Sequence, residues 1–282
     1  LAQLVRSQYL GEFQSSLVPI QPDGDRPALF FIHPSGGSVH WYYDLGRALP
    51  DDRPLYGLQA HGLMGDADLD ETVEAMAARY VSEIRAAQPE GPYHIASWSM
   101  GVAVALEVAQ QLRAAGADTG LLVAVDQGPL SPDEEPTDDA EYLIDFFGKR
   151  LPVSLDTLRG LEGDEQLRYI MEEAKRIEWL FKDVTFAQFK QFVRVLKTHS
   201  RAWREYRPAP YGGEVVVFRA AEREPDPMEP RDLGWGSLAD GRVNVIVVPG
   251  NHNTILHDHV TDFAAEIVRQ MDDLERRRAA HG

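Results

Sequence analysis

The chain has 282 residues, with 28 Lys+Arg against 45 Asp+Glu and no cysteine, a length that allows one large α/β domain or two ordinary ones. The lack of cysteine excludes a disulfide scaffold, a thiolate zinc site and a cysteine nucleophile. A formal net charge of −17 argues against nucleic acid and anionic membrane as general partners, since both need Lys/Arg to neutralise phosphate.

Hydrophobic residues make up 44% of the chain, too many for a disordered polymer. The longest apolar runs, such as 121–125 and 243–248, fall far short of the ~18 residues of a membrane span. The first ten residues lack the basic lead and apolar core of a secretory signal. These features fit a cytoplasmic location. A start at Leu1 rather than Met is expected of a piece of a longer polypeptide.

In chain order, residues 28–33 are apolar and run into His33-Pro-Ser-Gly-Gly37, a buried strand entering a tight loop. Residues 41–49 read as a short helix and 54–58 as a strand. Val73, Met76, Ala77, Tyr80, Val81 and Ile84 recur at helical spacing, with Pro89 beyond the end. Residues 93–98 are a strand, 102–112 an Ala/Val/Leu-rich helix, and 121–125 an unalternating strand of the kind covered on both faces. Strands follow at 214–219 and 243–248, and Phe263, Ile267, Val268, Met271 and Leu274 mark a last helix. The expected fold class is α/β, a mostly parallel sheet with helices on both faces. The alternation stops between Leu130 and Gly212, where only helical patterns occur. A structureless loop of that length is implausible, so residues 131–212 are expected to be a helical insertion into a core formed by 14–130 and 213–282.

The segment Tyr93-His-Ile-Ala-Ser-Trp-Ser-Met-Gly101 ends a strand at Ser99 and starts a helix at once. A nucleophile on such a sharp turn projects its hydroxyl above the sheet, and the helix N-terminus behind it favours developing negative charge. The turn wants Gly two residues on either side; Gly101 meets this and Ser97 departs from it. The plain alternative is a serine capping a helix.

A serine nucleophile needs a general base and an orienting acid. His252, in Val247-Val-Pro-Gly-Asn-His-Asn-Thr-Ile-Leu256, directly follows the last strand and is the expected base; His257 and His259 compete from nearer the final helix. Asp126, on a strand end, is preferred as acid over Asp226, which lies in the acidic, Pro-rich Glu222-Arg-Glu-Pro-Asp-Pro. The backbone N–H of Met100 is one expected oxyanion donor. The N–H of Ser35, with Gly36 next, is the other, because small residues in His33-Pro-Ser-Gly-Gly-Ser38 let backbone approach substrate. No metal is expected.

Taken together, Phe30-Phe-Ile-His-Pro-Ser-Gly-Gly37, the Ser99 elbow, Val125-Asp126 and Val248-Pro-Gly-Asn-His-Asn-Thr-Ile-Leu256 resemble the thioesterase domains that end non-ribosomal peptide and polyketide synthases. Pro54-Leu-Tyr-Gly-Leu-Gln-Ala-His-Gly62 and Leu233-Gly-Trp-Gly-Ser-Leu-Ala-Asp-Gly241 add to the resemblance, which covers about residues 14–277 apart from the insertion. It implies an α/β-hydrolase core, a helical lid and an acid on the earlier strand. Ser97 and Val102 stand where that family usually has Gly. Leu1-Ala-Gln-Leu-Val5 resembles the tail of a carrier-protein helix, so residues 1–13 are expected to be a linker or the end of a carrier domain.

The implied chemistry has two stages. Ser99 takes an acyl chain from the phosphopantetheine thioester of an upstream carrier domain. Water or an internal amine or hydroxyl then releases it as acid or ring. The phosphopantetheine arm delivers substrate, and no cofactor is expected to be bound. Residues 186–206 carry an apolar stripe (Phe186, Phe189, Phe192, Val193, Leu196, Trp203) and a basic one (Lys190, Arg194, Lys197, Arg201, Arg204). The basic stripe is either an ordinary solvated face or a docking strip for an acidic carrier or the arm's phosphate. Trp179, Phe181 and Tyr169 are candidates for an acyl pocket or for lid core. The rival functions are a stand-alone editing thioesterase, a small-molecule serine esterase and a non-catalytic binding module.

Overall fold

The computed structural model describes residues 15–280, except 64, 66–67, 132–134, 149, 224–225 and 240–241. The expected linker at 1–13 lies outside the described residues. The chain forms two compact units, Leu1–Ser131 with Val195–Gly282, and Pro132–Arg194.

The larger unit holds a seven-stranded sheet. Its strands are β1 (Leu17–Gln21), β2 (Leu29–Ile32), β3 (Leu55–Leu58), β4 (Tyr93–Trp98), β5 (Thr119–Val125), β6 (Val215–Ala220) and β7 (Val243–Val248), in the order β1-β3-β2-β4-β5-β6-β7. All neighbours pair in parallel except β1, which lies antiparallel on β3. The sequence reading missed β1. Its LVPIQ segment carries Pro19, and its pairing slips between Pro19 and Gln21; proline is tolerated in a sheet only at such an edge.

Alternation along the strands divides the core between the two faces. Phe30 and Ile32 join Ile95, Ala124 and Val217 on one face, packed with α2 (Val73–Ala87) and α3 (Gly101–Ala114). Leu29 and Phe31 join Ala96, Val123, Val125 and Phe218 on the other, with α1 (Tyr43–Ala48) and α8 (Val260–Ala279). The chain leaves β2 for β3 on one side and continues from β4 to β5 on the other. The crevice at the carboxyl ends of β2 and β4 is therefore a topological switch point, where open α/β sheets bind ligands.

The smaller unit contains α4 (Asp139–Phe147), α5 (Leu155–Arg159), α6 (Asp164–Arg176) and the start of α7 (Phe186–Glu205). Two of these helices start on side-chain caps: Asp138 accepts from the Glu141 N–H at α4 and Ser154 from the Thr157 N–H at α5. Phe147 packs against Trp179 and Phe189. The division between units falls inside α7. The helical segment expected to end at residue 212 gives its last turns to the larger unit, where Ala202, Trp203 and Tyr206 complete the α2/α3 core.

Candidate active site

Ser99 ends β4 in a left-handed conformation, φ 57°, a strained backbone for a residue with a side chain. Its N–H reaches the Val125 carbonyl at 3.4 Å, and its own carbonyl accepts from Val102 at 3.1 Å as α3 begins. Gly101 is demanded by space: a Cβ there would stand 2.3 Å from the His33 carbonyl oxygen. The position before the nucleophile is less strict. Ser97 fits fully buried, but its Oγ has no hydrogen-bond partner among the described residues.

Asp126 ends the neighbouring strand, also left-handed at φ 53° and fully buried. Its Oδ2 lies 3.1 Å from His252 Nδ1, across 126 residues of sequence. Its Oδ1 accepts from the Ala220 N–H at 2.9 Å and from Arg223 Nη1 at 2.8 Å. Burial alone would raise the carboxyl's pKa. The hydrogen bonds from His252 and Ala220 and the charges of His252 and Arg223 outweigh burial and hold it below its ordinary value. An acceptor carboxylate on Nδ1 sets the ring to present Nε2 as the free base.

His252 lies in a loop of consecutive tight turns, in which Asn251 accepts from Thr254, Ile255 and Asn253. Trp98, the residue before the nucleophile, donates its indole N–H to the His252 carbonyl at 2.9 Å, and the two rings lie 5.3 Å apart. The fold therefore ties each of the three residues to a neighbour of another. The Ser99 hydroxyl itself makes no hydrogen bond to His252; such contacts are often loose without substrate.

The loop after β2 borders the elbow through the His33 carbonyl, and among the described residues the N–H groups of Ser35 and Met100 donate to no acceptor. The competing residues lie elsewhere. Asp226 is exposed and accepts from the Met228 N–H. His257 is exposed against Asp258, and His259 occupies the N-cap position of α8 without a side-chain capping bond. In α7, Lys190 and Arg194 are exposed; Lys190 pairs with Asp164 and Arg201 with Glu71. Trp179 packs in the helical unit and Phe181 is exposed.

Sequence reasoning missed Arg223, although it lies in the loop examined for a rival acid. Its other nitrogens grip Glu229, which Arg219 also holds. A run of alternating charges gives no local sign of which one turns inward. It missed Trp98 as a tie for the histidine loop, and it gave His199 no role.

A family model for the thioesterase domain matches residues 27–271. The chain belongs to the thioesterase domain family. This thioesterase domain is 31% identical over 264 residues to a dimodular nonribosomal peptide synthase of Bacillus subtilis (strain 168), covering 90% of this chain and 11% of the synthase. Among solved structures it resembles a four-domain nonribosomal peptide synthetase bound to AMP and glycine, with TM-score 0.82 and 28% identity, over 95% of this chain and 21% of that one. It also resembles the NocB thioesterase domain in covalent complex with a fluorophosphonate nocardicin G analogue, with TM-score 0.69 and 25% identity, over 91% of this chain and 100% of that one. It thus spans about a tenth of the first relative's length and a fifth of the second's. The sheet and its flanking helices have the α/β-hydrolase architecture of these neighbours. Among the described residues, no helix is long and apolar enough to cross a membrane.

Proposed function

We propose that this thioesterase domain releases a finished acyl or peptidyl chain from the phosphopantetheine thioester of a carrier domain in the same polypeptide, through an acyl-Ser99 intermediate. The observation that carries this reading is the Asp126–His252 pair, at 3.1 Å, clasped to the strained turn that bears Ser99. His252 Nε2 takes the Ser99 proton as Oγ attacks the thioester carbonyl. The N–H groups of Ser35 and Met100 receive the oxyanion. The tetrahedral adduct expels the pantetheine thiolate, which takes the proton from His252, and Ser99 is left acylated. His252 then deprotonates water, giving a free acid, or an amine or hydroxyl of the chain, giving a ring, and returns that proton to Ser99.

Relatives in which the matching segment is a small part of a synthetase support this reading over a stand-alone editing thioesterase or a small-molecule esterase. The basic face of α7, with Lys190, Arg194, Lys197 and Arg201, is proposed to meet the acidic carrier. The ion pairs of Lys190 and Arg201 are exposed, and pairs of that kind exchange at little cost.

The test is a fluorophosphonate probe together with a synthetic peptidyl thioester. The native protein should be labelled and should show a transient acyl adduct by mass spectrometry, both lost in Ser99→Ala. Turnover surviving in Ser99→Ala would overturn the reading.

A further inference from the structure

Acyl transfer at Ser99 leaves the buried His33 and His199 without a role. Their rings stack at 4.8 Å, 18° from parallel. His33 Nδ1 lies 2.8 Å from the Pro34 carbonyl oxygen, and His199 Nδ1, from α7 in the sheet-bearing unit, lies 3.0 Å from the Ser35 carbonyl oxygen. A carbonyl oxygen only accepts, so each Nδ1 carries the proton. Burial pushes the His33 pKa down to about 4; burial and then the neighbouring His33 push that of His199 well down. Both rings are therefore neutral near pH 7. Nε2 of His33 is left as an acceptor facing the Tyr80 hydroxyl 2.8 Å away, whose single hydrogen the Gln59 carbonyl at 3.2 Å also competes for.

The two carbonyls so held belong to consecutive peptides of the loop beside Ser99. In a planar trans peptide the C=O and the following N–H point in opposite directions. Fixing the Pro34 carbonyl, which also accepts from the Gly37 N–H at 2.9 Å, fixes the Ser35 N–H; fixing the Ser35 carbonyl fixes the Gly36 N–H. The loop is packed hard where His199 reaches it. Gly37 has φ 79°, and a Cβ there would meet Ala60 Cβ at 2.7 Å, Val195 Cγ1 at 3.0 Å and His199 Cε1 at 3.6 Å.

We propose that His199 is a positioning residue for the oxyanion hole: its Nδ1–H bond locks the Ser35–Gly36 peptide, and its ring, stacked on His33, steadies the bond from His33 that locks the Pro34–Ser35 peptide, whose N–H receives the oxyanion. The proposal rests on the acyl-Ser99 reading. It assigns a role in catalysis to a helix that contributes no group to the triad.

The test uses His199→Asn, His199→Gln and His199→Leu in the full chain, with a soluble peptidyl thioester and the fluorophosphonate probe. The amide nitrogen of Asn stands in for Nδ1, and that of Gln for Nε2. Asn should hold kcat within about threefold of native. Gln and Leu should lower kcat and the probe's labelling rate together by about 10- to 100-fold, less than deletion of a whole oxyanion donor, with KM within about twofold. Equal behaviour of Asn and Gln, a loss confined to KM, or loss of the fold in Gln and Leu would each overturn the proposal. If Ser99→Ala stays active, the underlying acyl-serine reading fails as well. If Ser99 is essential but the Asn and Gln variants match, only the role of His199 falls.

Discussion

The carboxyl ends of β4 and β5 lie side by side, and each finishes in a residue forced into the left-handed region, Ser99 at φ 57° and Asp126 at φ 53°. They are held there by different forces. The Ser99 end is shaped by room: a glycine two residues on lets backbone meet backbone, and no side chain among the described residues bonds the hydroxyl. The Asp126 end is shaped by charge: its carboxylate oxygens take hydrogen bonds from His252, Ala220 and Arg223. The contrast teaches that strain at a site can be sustained by packing at one residue and by electrostatics at the next. It also predicts that the two ends fail differently.

The largest expected effect is on the charged end. Asp126→Asn keeps the volume but offers His252 an amide, favouring the wrong tautomer, and kcat should fall on the order of 10³–10⁴-fold, with a stability loss of only about 1 kcal/mol from the broken ion pair with Arg223. A loss under tenfold would break the distinction. The packed end should show the reverse. Gly101→Val forces a Cβ toward an oxygen 2.3 Å away and should cost about 3 kcal/mol of stability, read from urea unfolding; an unchanged midpoint would mean the turn yields easily.

Arg223→Met is a milder probe of charge. Arg223 is 25% exposed, and Asp126 keeps its other two donors, so the stability loss should be about 1 kcal/mol near neutral pH. Asp126 is held below its ordinary pKa, so its contribution is present above the unfolded carboxylate value and is lost as pH falls through the folded one. The gap between native and Arg223→Met should therefore be full at pH 7 and close below about pH 4. A gap that widens with acid would contradict it. The smallest effect is at Ser97, whose unpartnered hydroxyl is buried. Ser97→Ala should raise stability by up to about 1 kcal/mol at unchanged kcat, and a decrease in melting temperature would show that the hydroxyl finds a partner in solution.

Much of the core was legible in the sequence because its signals are local. The six parallel strands are apolar runs bounded by turn residues, and Ser99, Asp126 and His252 all sit at or just past strand ends, where topology gathers them. What escaped notice depends on distant partners. His199 meets Ser35 across 164 positions and Arg223 meets Asp126 across 97, and neither carries a neighbouring motif. Edge strand β1 was hidden by its proline. An uninterrupted α7 gives no break in periodicity at Arg194, where the division between the two units falls.

The Trp98 indole grips the main chain of the histidine loop and not the imidazole. That choice of atom places the loop and leaves the aim of the ring to Asp126. Backbone and side chain of one histidine are thus held by two different strand ends, so a change at Trp98 should shift the loop while a change at Asp126 should turn the imidazole.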